Sequence, residues 1–105
     1  MNSLRGLKAA LDDKSFRLDI LLGVFLLPTA FLRFGSEPLV LSVIILCYAF
    51  LIAIELLNTA LERLCDMVQS DFDLRVRAIK DISSAAVFIA VVLLVVILSI
   101  FMLKF

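Results

Sequence analysis

The sequence predicts an all-α polytopic membrane protein: three transmembrane helices preceded by an N-terminal amphipathic surface helix. Three observations point there. Hydrophobic residues make up 64% of the 105 positions, well above the roughly 45–50% of soluble domains. Three apolar runs stand out, Ile20 to Leu32, Leu39 to Ile54 and Ile82 to Leu103. Between them lie only the breaker-rich RFGSEP and a charged stretch from Glu55 to Asp81. The whole chain, 1–105, reads as a single membrane domain.

The surface helix is expected over about 3–16. Leu4, Leu7, Leu11 and Phe16 fall on one side, with Arg5, Lys8, Asp12 and Lys14 elsewhere, the pattern of a helix lying in the interface. This N-terminal stretch lacks the apolar core and small-residue cleavage site of a signal peptide and is expected to stay in the mature protein. The first span, about 18–34, reaches across the bilayer with Arg17 and Arg33 at opposite interfaces. Pro28 is tolerable there because membrane helices accept proline. GSEP is a tight turn. The second span, about 39–66, gains length by continuing into ELLNTALERLCD. The third, about 81–103, contains 22 consecutive residues from Ile82 to Leu103, enough to span without help.

Orientation follows from lysine and arginine, which collect on the cytoplasmic side. Eight of the ten fall with the N-terminus and the second loop; only Arg33 and Lys104 lie opposite. The N-terminus and the 63–81 loop are therefore expected in the cytoplasm. Formal net charge is zero with no basic block, so nothing attracts a nucleic-acid backbone. With no histidine and no CxxC spacing, a zinc or haem site is not expected, and Cys47 and Cys65 read as packing residues.

The informative stretch is IAIELLNTALERLCD, residues 52 to 66. At about 100° per residue, Glu55, Asn58, Glu62 and Asp66 share an arc of about 80°. A helix rising about 1.5 Å per residue from Leu39 brings Glu55 roughly 24 Å across a core of about 30 Å, just inside the cytoplasmic interface. A charge buried in a span costs roughly 2.5–3.5 kcal/mol and usually faces a protein interior. Glu55 alone reads equally well as a partner for a cation on a neighbouring helix. Three polar groups on one face exceed what such a pair requires, whereas Asp66 reads as solvated. Lys80 and Asp81 stand at the entrance of the third span. Asp81 suits a helix N-terminus and Lys80 an ordinary cytoplasmic-side cation. Opposite a carboxylate stripe, Lys80 is also well placed for phosphate, and carboxylates without histidine suit magnesium.

Four segments, in order, resemble the bacterial diacylglycerol kinases, small trimeric membrane kinases with three transmembrane helices. IELLNTALERLCD resembles their E-x-x-N-[ST]-A-[IL]-E-x-x-x-D signature and AIKDISSAAV their A-K-D-x-x-S-A-A-V segment. SFRLD is similar to the A-F-R-x-E at the start of their first span, and SLRGLKAA to S-x-x-G-[LW]-x-A-A of their surface helix. The resemblance implies ATP- and Mg²⁺-dependent phosphorylation of diacylglycerol to phosphatidic acid at the inner membrane, by a homotrimer whose active sites are shared between protomers. Carried over by position, Glu55 is the general base on the lipid hydroxyl, Asn58 orients it, and Glu62 and Asp19 hold the metal. Lys80 contacts the phosphates, Asp81 supports the site, and Ser3 and Gly6 lie near the nucleotide.

The chain departs from the pattern twice. Asp19 stands where the family has glutamate, one methylene longer, and DFDLRVR replaces a histidine-containing loop. With the surface helix so near Met1, some nucleotide contacts are expected to be missing. Undecaprenol kinase, the same chemistry on a polyprenol, remains the alternative, and substrate choice rests on analogy. From other classes, a small transporter needs a carboxylate near the midplane, which Glu55 is not, and an inactive structural subunit stays open because of Asp19. No phosphate-binding glycine loop or protein-kinase motif occurs. Phosphoryl transfer needs mainly positioning, metal neutralisation and a base, which this stripe offers.

Overall fold

The computed structural model describes residues 2–69, 71 and 73–105. They form four helices: α1 (Asn2–Ala10), α2 (Lys14–Phe34), α3 (Pro38–Val68) and α4 (Leu74–Lys104). The last three are long and apolar enough to cross a membrane, and no strand occurs among the described residues. The expected all-α class with three spans is what the chain adopts. At about 1.5 Å per residue, the 21 residues of α2 reach roughly 31 Å, matching the hydrocarbon core. The 31 residues each of α3 and α4 extend beyond it.

Two helix starts differ from the sequence reading, for the same local reason. The amphipathic spacing carried the surface helix on to 16, but Asp13 interrupts it. With extended backbone (φ −83°, ψ 126°), Asp13 accepts from the Ser15 and Phe16 amides at 2.8 and 3.4 Å. It thereby caps a new helix. Phe16 consequently belongs to α2, where it is 1% exposed, and not to the apolar side of α1. Similarly, Asp73 accepts from the Arg75 amide at 2.8 Å and starts α4 seven residues before Asp81. Asp81 is therefore not the helix N-cap. The Arg75 side chain holds the Asp73 carboxyl below its ordinary value. A depressed carboxylate stabilises above its unfolded-state pKa, so this cap persists until pH falls through the lowered value.

The turn between α2 and α3 is Gly35–Ser36–Glu37, closed by the Glu37 amide on the Phe34 carbonyl at 2.8 Å. Pro38 follows at the first helical position, where its missing N–H costs nothing. Helix α3 is the central element: it packs against α1, α2 and α4. Near the α2–α3 turn, Ala30, Phe34, Val40 and Ile44 form one buried cluster, joined by Ile97, Leu98 and Phe101. Farther along, Tyr48, Leu51, Ala90 and Leu94 form a second. Outside these seams the helices are apolar but uncovered: Leu32, Leu39 and Leu103 are 84–90% exposed. Such continuous apolar surface belongs against lipid or other protein. Cys47 and Cys65 are free thiols, and Cys65 is buried, in keeping with packing roles.

Antiparallel connections bring the start of α2, the end of α3 and the start of α4 to one end of the bundle. Two bonds tie α1 and its junction there. Thr59 Oγ1 donates to Asp13 Oδ2 at 3.3 Å, and the Arg63 guanidinium donates to the Ala9 carbonyl at 2.8 Å. Asp13 thus serves both α2 and α3. Asp13→Ala is expected to lower stability by about 1 kcal/mol, the usual loss for a helix cap; a thermal-unfolding midpoint unchanged from wild type would show that the cap is redundant.

Candidate active site

The α3 stripe runs from buried Glu55 through half-buried Asn58 and Glu62 to exposed Asp66. Glu55 is 6% exposed. The acids that bear on it are Asp19 of α2, Asp13 and Glu62. No ion pair involves Glu55 among the described residues. The bland reading, a cation holding Glu55 to fix helix register, therefore finds no partner within the described residues. The electrostatics run the other way, because like charges at low dielectric repel strongly.

Asn58 is held from both sides. Its Nδ2 donates to Glu62 Oε1 at 3.1 Å, and its Oδ1 accepts from Ser83 Oγ of α4 at 2.7 Å. Ser83 is 7% exposed; the Glu62 carboxylate, which only accepts, takes the Asn58 amide nitrogen and leaves the amide oxygen to the Ser83 hydroxyl. Sequence reading overlooked Ser83; its place in AIKDISSAAV, three residues after Lys80, was the available signal. Asp13 and Thr59 were also overlooked: the leucine spacing before Asp13 masked its capping signal, and a β-branched residue in a span carries no chemical signature on its own.

Lys80 reaches across from α4 to Asp66, Nζ to Oδ1 2.6 Å. Asp66 is thus partnered, although its side chain is 64% exposed. Exposed pairs of this kind are worth about 0–1 kcal/mol, so a phosphate oxygen can replace Asp66 at little cost. Asp81 stays outside the cluster: 70% exposed, it meets Arg77 at 3.7 Å one turn away. Ser3 and Gly6 are also apart from the carboxylates. They line a groove of about 620 Å³ between α1 and α3, walled by Ala9, Leu56, Ala60 and Arg63 among others. No atom lies within 4 Å of where a Gly6 side chain would begin, so this position faces open space.

No group of three or more ligating side chains converges among the described residues, so a cage made wholly of protein is absent from them. Nucleotide-bound magnesium asks for less, taking one or two carboxylates and filling its shell with phosphate oxygens and water. Asp19 meets that requirement: its Oδ2 is buried with no hydrogen-bond partner among the described residues, and such an orphan requires an explanation. Glu62 commits Oε1 to Asn58. The arrangement fits a cation delivered with its phosphates.

Buried carboxylate, oriented amide, orphaned acid and nearby lysine gather at one end of three membrane-length helices. Residues 1–102 match the family model described as prokaryotic diacylglycerol kinase. The chain belongs to this family. It is also 37% identical, over 90 residues, to the diacylglycerol kinase of Haemophilus influenzae (strain ATCC 51907 / DSM 11121 / KW20 / Rd), an alignment covering 84% of this chain and 75% of that relative. Family membership sets the transporter reading aside, makes the chain a membrane-embedded lipid kinase, and implies a nucleotide co-substrate.

Proposed function

We propose that this chain transfers the γ-phosphoryl group of ATP, with magnesium, to the free hydroxyl of diacylglycerol, giving phosphatidic acid and ADP. The observation that carries the reading is buried Glu55, with no cation partner among the described residues, at the polar end of α3 in a chain of this family. Glu55 takes the proton of the lipid hydroxyl as general base, and Asn58, steadied by Ser83, orients the reacting groups. Asp19 and Glu62 would hold magnesium together with the nucleotide phosphates; the ion supplies neutralisation of the phosphate charge. Lys80 leaves Asp66 to meet the phosphates, while Asp81 lends charge at the cytoplasmic start of the span. Ser3 and Gly6 place the nucleotide side of the site along α1.

The reading includes a homotrimer in the inner membrane, with the N-terminus cytoplasmic and sites shared between neighbours. Its support is family resemblance, the lysine and arginine count, and the uncovered apolar faces of α2 and α4. Only 17% and 11% of their most apolar stretches are buried within the chain, against 28% for α3.

The test is ATP-dependent phosphorylation by purified protein in mixed micelles, offering diacylglycerol and undecaprenol separately, with magnesium present or chelated. Magnesium-dependent phosphatidic acid supports the proposal. Product from undecaprenol alone transfers the chemistry to a polyprenol, and no product from folded protein leaves an inactive subunit. In the same assay, Ser83→Ala is expected to reduce turnover by less than about tenfold, since one hydrogen bond is worth roughly 0.5–1.5 kcal/mol. A larger drop would give Ser83 a direct role.

A further inference from the structure

An aspartate carboxylate has a short reach, so its position follows its own backbone closely. What fixes the backbone at Asp19 is therefore as important as the side chain itself. The Tyr48 hydroxyl of α3 donates to the Asp19 carbonyl at 2.7 Å. Buried tyrosines generally find such a partner; this one is unusual in how closely it approaches. Gly23, one turn beyond Asp19, is buried, and a Cβ there would fall inside the Tyr48 ring. The tyrosine therefore lies directly on the α2 backbone, in a notch that only glycine leaves.

Tyr48 and Glu55 are seven residues apart on α3, about two turns, and so share a face. Tyr48 is itself fixed, 9% exposed and packed with Leu51, Ala90 and Leu94. One rigid helix thus carries both the carboxylate of Glu55 and the hydroxyl that sets the height of α2 beside it. Asp19, whose carbonyl accepts from that hydroxyl, also carries the carboxylate oxygen that has no partner among the described residues.

We propose that Tyr48 is a positioning residue: its hydroxyl, seated in the Gly23 notch, pins the Asp19 backbone and so sets where the Asp19 carboxylate meets the metal–nucleotide complex. This rests on the reading of Asp19 as a metal-binding residue.

The test measures Mn²⁺ binding by electron paramagnetic resonance, in micelles, with the full chain and a non-hydrolysable ATP analogue. Tyr48→Phe keeps the ring and removes the hydroxyl; it is expected to weaken Mn²⁺ binding roughly tenfold, as loss of an outer positioning group does. Gly23→Ala, which displaces the ring, is expected to weaken it similarly. In an Asp19→Glu background the longer side chain adds a rotatable bond and frees the carboxylate from its backbone. There Tyr48→Phe is expected to change binding by less than about twofold. Equal weakening in both backgrounds, or none in either, overturns the proposal, the first by showing that Tyr48 acts through general packing. If wild type phosphorylates lipid but Tyr48→Phe binds Mn²⁺ normally, only the tyrosine assignment falls. If wild-type protein neither binds Mn²⁺ with the analogue nor phosphorylates lipid, the metal reading falls with it.

Discussion

Glu55→Gln is expected to remove lipid phosphorylation almost entirely while leaving the helices as stable as wild type, or more so. The substitution keeps the shape of the side chain, deletes the charge and replaces one basic oxygen with an amide donor. Losing a positioned general base costs about 10²–10⁴ in rate. Stability moves the other way because Glu55 has no cation partner among the described residues and feels Asp13, Asp19 and Glu62. Neutralising one member of a crowded acidic set relieves repulsion, the usual trade between stability and activity at a working site. Phosphatidic acid formation and the thermal midpoint, measured on one preparation, decide the matter. A variant that is inactive and less stable would make Glu55 a structural residue. A variant that is inactive and equally or more stable identifies a group kept for chemistry.

The stripe itself was legible because helical periodicity places Glu55, Asn58 and Glu62 together from local spacing alone. Their partners were not. Asn58 meets Ser83 across 25 positions, Tyr48 meets Asp19 across 29, and Thr59 meets Asp13 across 46. Each pair depends on the register between helices, which side-chain packing determines and no local pattern records. Helix α4 begins before the expected third span for another reason. Apolar runs mark the membrane, whereas caps mark the helix, and LRVRAIK continues the helix into the polar zone once Asp73 has capped it. The same distinction explains Asp13: its capping chemistry was present in LDDKS, but the leucine spacing before it dominated the reading.

Lys80→Met is the second large effect expected, and comparison with Asp66→Asn gives it meaning. Both substitutions break the ion pair at 2.6 Å. If that pair were all Lys80 did, the two variants would behave alike, each losing at most about 1 kcal/mol of stability and little activity. If Lys80 turns to the phosphates during turnover, the variants separate. Lys80→Met removes a charge-assisted bond worth about 1.5–3 kcal/mol, lowering kcat/KM for ATP by roughly 10–150-fold. Asp66→Asn removes only a competitor for the same ammonium, so kcat/KM for ATP should change by less than about threefold. Methionine retains most of the apolar stem, which separates lost charge from lost packing. Steady-state kinetics with ATP varied at saturating diacylglycerol makes the measurement. Equal, small effects in both variants would return Lys80 to an ordinary surface cation, and the phosphate contact would have to come from elsewhere in the assembly.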